Sequence, residues 1–160
     1  MAVDYFLKVK GIEGESKDDK HKDWIDVMSW SFGATQTGTF GSGGGGGAGK
    51  VNVHDINFTK HVDKSSPDLF LKCCTGDHYD EAILECRKAG GDPLVYLKIT
   101  MNDLLVSSVQ HGGASGNEIP TENISLNFAK IKMEYTEQTE KGQAGAQPKA
   151  HFDIKANKKL

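Results

Sequence analysis

The residues whose spacing most suggests chemistry lie in a glycine run. Positions 44–50 read G-G-G-G-A-G-K, which fits the G-x-x-x-x-G-K part of a phosphate-binding loop. Such a loop also needs a Ser or Thr after the lysine to hold magnesium. It needs a strand leading in and a helix leading out, so that the helix amides meet the phosphate. Here Val51 follows Lys50, and the stretch before the run is rich in Thr and Gly. The following V-N-V-H-D-I-N-F-T alternates like a strand and lacks helical spacing. The lysine therefore has no phosphate cradle to serve, and a glycine-loop phosphotransferase is not supported. Ordering so many glycines costs conformational entropy. The run is expected to stay mobile or to order against a partner.

No other constellation points to a reaction. His21, His54, His61, His78, His111 and His151 are scattered, and none pair at a metal-ligand spacing. His54–Asp55 and His61 with Asp63 read as surface polar neighbours at strand ends. Cys73, Cys74 and Cys86 contain no C-x-x-C, so neither zinc nor a redox centre is supported, and buried structural thiols are expected. No G-x-S-x-G elbow occurs. The expectation is a protein with no catalytic residues, no metal and no cofactor.

The elements that would position any site are mostly strands. Val3, Tyr5, Leu7 and Val9 alternate with polar residues in a half-buried first strand. Residues 11–23 read as a solvated loop. Positions 24–32 form a second strand, with Met28, Trp30 and Phe32 facing the core and Ser29 and Ser31 facing out. In 51–60 the apolar parity changes after Val53, which predicts a bulge or bend near His54–Asp55 that restores one apolar face. A helix is expected over 67–75. Ser66 is its cap, Pro67 suits its first position and Gly76 stops it in the left-handed region. Within it Leu69–Cys73 and Phe70–Cys74 are i, i+4 pairs on one side. Strands at 82–87 and 95–101 flank the turn G-G-D-P and make a hairpin, with a bend near Asn102–Asp103. The long run 122–135 slips phase at Ala129–Lys130, again a bulge or corner. Residues 137–149 are polar and expected to be mobile, and Phe152 and Ile154 mark a last strand. Seven to nine strands with one short helix predict a mainly β fold: an antiparallel β-sandwich or compressed barrel over a single domain, 1–160.

Bulk properties narrow the function classes. The length of 160 residues allows one real core. Net charge is -3, so no basic face is available for nucleic acid or an anionic membrane. No apolar run approaches a membrane span, and the N-terminus M-A-V-D-Y-F-L-K-V-K lacks a signal core. The chain is expected to be made in the cytoplasm and, if exported, to leave without a cleaved signal peptide.

Several stretches together resemble one family, the haemolysin-coregulated proteins (Hcp), tube subunits of bacterial type VI secretion. They are G-E-S-K-D (14–18), I-D-V-M-S-W-S-F-G (25–33), G-G-A-G-K-V (46–51) and F-T-K-H-V-D-K-S-S-P (58–67). R-K-A-G-G (87–91), V-S-S (106–108) and E-N-I-S-L-N-F (122–128) complete the set. The resemblance implies a β-barrel-like fold with a flanking helix. It implies a homo-hexameric ring with a wide channel and rings stacked into a tube. A contractile sheath would expel that tube behind a tip spike protein, and effector proteins would ride inside the ring. The parity of 24–32, within a matching stretch, makes Ser29 and Ser31 the candidate channel-facing residues. The glycine loop, with Gly41, Ser42, Gly43, Gly44, Gly45, Gly46 and Gly47, is the candidate contact to an adjacent ring or subunit. The alternative from another class is a monomeric small-molecule-binding β-barrel carrier, which would need an apolar interior pocket.

Overall fold

Alternating apolar residues become strands, and the core forms where their inward parities meet. The computed structural model describes residues 2–41, 43 and 46–160. The strands are β1 (Val3–Val9), β2 (Ile25–Val27), β3 (Ser29–Ser31), β4 (Ala34–Thr35), β5 (Asn52–Val53) and β6 (Ile56–His61). After the helix α1 (Ser66–Thr75) come β7 (His78–Lys88), β8 (Val95–Gly112), β9 (Thr121–Tyr135), β10 (Lys149–Asp153) and β11 (Lys158–Lys159). The main sheet runs β11-β10-β9-β8-β7-β1-β2, while β6 pairs with both β3 and β9. Every pairing is antiparallel. The sheet folds over itself like a sandwich, and Leu7, Ile25, Ile56, Leu84, Ile99 and Leu126 fill the space between its layers.

The expected second strand is broken at Met28. Ile25 and Val27 point into the core from β2, which pairs with β1, whereas β3 pairs with β6. Between them the Met28 amide donates to the Thr59 carbonyl at 2.8 Å. Met28, assigned to the core by parity, is 49% exposed, because the change of partner strand shifts the phase by one residue. Trp30 keeps its inward direction and meets Tyr5 edge-on at 6.4 Å. The circuit of strands is completed by this covalent step, so the sheet is not hydrogen-bonded into a closed barrel.

The long strands bend together. Asp103 has φ 53 and sits between the pairs Asn102–Lys130 and Leu104–Phe128. The phase slip at Ala129–Lys130 is thus a corner shared by β8 and β9 with no loss of register. The register shift lies elsewhere, between Val106 and Ser108.

Helix α1 keeps its predicted punctuation with one correction. Ser65 is the N-cap residue and makes no side-chain cap bond; Ser66 lies inside the helix, and its hydroxyl is used elsewhere. Gly76 stops the helix at φ 70, with its amide bonded to the Lys72 carbonyl at 2.9 Å. Leu69 is fully buried, whereas Phe70, Leu71 and Cys74 face outward. The expectation of buried thiols holds for Cys86, whose thiol burial pushes up to about 11; Cys73 is half-buried and Cys74 exposed. Residues 137–149 form a small hairpin, with Glu137 and Thr139 amides bonded to the Ala146 and Gln143 carbonyls.

Candidate channel wall and assembly surfaces

Three structural devices position the surface that carries Ser29 and Ser31. The first clasps the β1–β2 loop, which was expected to be solvated. Ile12, Ser16 and His21 are buried there. His21 stacks on Phe6 at 4.1 Å and presents its two ring nitrogens to Asp18 (2.9 Å) and Glu85 (2.6 Å). Arg87 grips both Asp18 oxygens, at 2.9 and 2.8 Å, and reaches Asp4 at 3.1 Å. The hydrogen bonds from Arg87, then His21, hold the Asp18 carboxyl well below the usual carboxylate range. Charge-paired residues far apart in the chain thus fold a polar loop onto the sheet.

The second device joins β6, β9 and α1. Lys60 and Glu122 are directly opposite in the β6–β9 ladder, both fully buried, and paired. Lys60 also donates to Asp63 at 3.0 Å, and the Ser66 hydroxyl donates to Glu122 at 2.6 Å. His111 Nε2 lies 2.7 Å from the second Glu122 oxygen, off the alignment of a hydrogen bond. Hydrogen bonds from neighbouring groups help such a buried pair offset the loss of its water.

The third device is the wall itself. β3, β6, β9 and the far half of β8 lie side by side. Ser29 faces Thr59 and Ser31 faces Asn57 across β3–β6; these then face Asn123 and Ser125 across β6–β9. One sheet face is therefore built of hydroxyls and amides. Thr59 donates to Asn123 at 2.6 Å, Ser125 bonds Asn57, and Ser108 donates to Ser125 at 2.9 Å. Asp55 accepts from Ser107 and Asn127, each at 2.7 Å. Ser29 and Ser31 are exposed, and neither hydroxyl has a hydrogen-bond partner among the described residues. The rest of this face was missed in the sequence. Its signal was the parity of Asn123, Ser125 and Asn127 against Ile124, Leu126 and Phe128.

Below this wall the β3–β6 pair is prolonged as an arm. β4 and β5 form a separate two-stranded sheet, and a bridge between Gly38 and Ala48 extends it. Thr39 donates to the Gly47 carbonyl at 2.9 Å and accepts from the Gly47 amide at 3.1 Å. Gly41, Gly43, Gly46 and Gly47 are exposed at the arm's end, and Phe40 there is 90% exposed. Ser42, Gly44 and Gly45 lie outside the described residues. Lys50 leads into β5, a strand, so the helix that a phosphate site requires does not follow. The break at His54–Asp55 divides the apolar residues of 51–60. Ile56 and Phe58 enter the core, but Val51 and Val53 line an open groove of about 500 Å³ with Phe32, Ile131, Met133 and Phe152. Among the described residues no cluster of His, Cys, Asp and Glu is placed to hold a metal ion. No helix among them is long and apolar enough to cross a membrane.

Comparison with known proteins shows the family. Residues 6–135 match the family described as "Type VI secretion system effector, Hcp". The chain is 49% identical over 159 residues to "Protein hcp1" of Pseudomonas aeruginosa, covering 98% of each. Hcp1 from Salmonella typhimurium superposes with a TM-score of 0.84 at 42% identity, covering 100% of both chains. A type VI secretion system effector from Yersinia pestis gives a TM-score of 0.77 at 31% identity, covering 94% of this chain and 99% of that one. With the match running through the wall, the arm, the helix and the corner strands, the chain belongs to the Hcp family of the type VI secretion system.

Proposed function

We propose that this protein is a structural subunit of the type VI secretion tube. Six copies close into a ring, rings stack, and the hydroxyl- and amide-lined faces turn inward as a channel wall. A contractile sheath expels the tube behind a tip spike protein, and effector proteins are carried and protected in the channel. The observation that carries this reading is the wall with two open edges. β3 pairs on one side only, with β6. Residues 108–112 of β8 likewise pair only with β9, because the β7 ladder stops at Leu105. Two different unpaired edges on one flat face suit a head-to-tail interface that closes if its rotation fits.

The wall is suited to passing cargo. It offers hydrogen-bonding groups, with most of them already engaged within the protein. Among the described residues, Ser29 and Ser31 carry free hydroxyls on it. Ser31→Gln puts a longer side chain into the channel without touching the core. The expected result is an unchanged ring mass, about six times the 17.4 kDa protomer, with loss of effector co-purification. Retained effector with an intact ring would show that Ser31 does not face the cargo.

The alternative, a monomeric small-molecule carrier, needs an apolar interior pocket. The space between the layers is filled by the core, and the large apolar groove lies outside it. Native mass separates the two readings, because the carrier stays a protomer at any concentration.

A further inference from the structure

The groove beside the arm is an unclosed second core. One wall is the arm, with Phe32, Val51 and Val53; the other is the lower half of β9 with β10, carrying Ile131, Met133 and Phe152. All six are apolar and each is only half-buried. Two apolar sheet faces opposed across an open gap are half of a sandwich interior, which in a folded protein is packed to crystal-like density.

We propose that this groove receives helix α1 of the adjacent copy in the ring, with Leu71 and Phe70 as the inserted side chains. The inference rests on the ring reading above and adds the contact that closes it.

Continuity with the two open edges argues for this occupant. Phe32 directly follows Ser31, so the groove wall is the prolongation of edge strand β3. A copy that meets the β3 edge also reaches the groove. The opposite edge is residues 108–112 of β8, and α1 is the element that flanks it. The Phe70 ring lies 6.2 Å from that of His111, and Ser66 bonds Glu122, the residue paired with His111. Each flank of the wall therefore carries an apolar feature, and the two differ: a groove beside β3, a ridge beside β8. Head-to-tail association requires unlike, complementary patches. Phe70 and Leu71 are 54% and 55% exposed, an unusual placement for two neighbouring large apolar side chains on a short helix. A helix laid in an apolar groove through such anchors is a recurring recognition mode. The protein's own Phe40 does not serve, because the Gly38–Ala48 bridge and the Thr39–Gly47 bonds carry it away along the arm.

The test is a directed cross-link. Leu71→Cys is combined in turn with Ala34→Cys and with Ala150→Cys, both exposed on the groove rim, in a Cys73→Ser/Cys74→Ser background. A disulfide needs Cα atoms within about 7 Å, so it reports contact directly. Mild oxidation should give a ladder of linked subunits on a denaturing gel, with native mass unchanged and each single-cysteine control unlinked. Separately, Val53→Asp should shift native mass from ring to protomer at concentrations where the parent is a ring. A ring in which neither pair cross-links overturns the α1 assignment. So does a ring unaffected by Val53→Asp, or one that still binds an apolar dye in the groove. A parent protein that is itself a protomer at high micromolar concentration overturns the ring reading instead, before any substitution is made.

Discussion

Arg87 decides how the β1–β2 loop responds to acid. Its guanidinium holds the Asp18 carboxyl in two hydrogen bonds, and stacks over Phe6 at 4.9 Å. A carboxyl whose folded pKa is depressed contributes stability that is full above its unfolded value and lost as pH falls toward the folded one. Asp18 starts from an ordinary value of 3.8 and is shifted downward, first by Arg87. Its contribution is therefore complete at neutral pH and declines below about pH 4. Asp18→Asn should cost about 1–3 kcal/mol at pH 6. It should also flatten the loss of stability between about pH 4 and pH 2, read from urea denaturation across that range. An acid limb as steep as the parent's would remove Asp18 from the account. The Lys60–Glu122 pair makes a different prediction, because both groups are fully buried. Lys60→Met leaves a carboxylate without its cation and should destabilise by about 3–5 kcal/mol. Adding Glu122→Leu should recover part of that loss, since two apolar residues tolerate the site better than one orphaned charge. A double variant as unstable as the sum of the singles would mean the two side chains are not coupled.

At the scale of elements, the loop between β1 and β2 is held by backbone as much as by charge. Gly14 donates to the Asp23 carbonyl at 2.7 Å, and a Cβ built there would sit 2.3 Å from the Trp24 carbonyl oxygen and 2.7 Å from Ile25 Cα. Neither atom can swing aside, because both belong to the chain entering β2. Gly14→Ala should lift the loop, cost about 1–3 kcal/mol and expose His21. Faster amide exchange at Ser16 and Asp23, whose amides bond Trp24 and Ser16 carbonyls, would register the lifting. An unchanged exchange pattern would count against the clasp. This loop also marks the limit of what the sequence discloses. Elements with a single period were legible: β1, the β7–β8 hairpin, α1 with its Gly76 stop, and the bend at Asn102–Asp103 all stand where alternation and turn residues put them. The clasp was illegible because its partners, Asp18 with Arg87 and His21 with Glu85, are 69 and 64 residues apart, and no local pattern links them. Met28 was misplaced for a related reason. Parity inside one strand is blind to a change of partner strand. Of the candidate site, Ser29 and Ser31 were legible as exposed, but the wall around them needed the cross-strand register.

For the whole molecule, the arm has two parts that fit two different roles in the proposed assembly. Its root, β4 with β5 and the apolar residues facing the groove, is a paired structure with a fixed direction. Its end, beyond the Gly38–Ala48 bridge, presents an exposed Phe40 whose ring lies against Gly46: a Cβ on that glycine would come within 2.5 Å of it. The root lies beside the β3 edge, where the proposed in-ring contact falls. The end, exposed beyond that bridge, is the candidate contact to a further copy. Glycine suits such an end, because it allows close backbone approach. Deleting residues 42–47 removes the end while leaving β4, β5 and the groove wall in place. Single rings should therefore keep their native mass, and tube formation, followed by electron microscopy and sedimentation, should fall sharply. Because Phe40 remains, replacing it as well with Ser should deepen the defect if the aromatic ring is the anchor. Tubes that assemble at the parent's rate after the deletion would assign stacking to some other surface, and leave the arm with the in-ring contact alone.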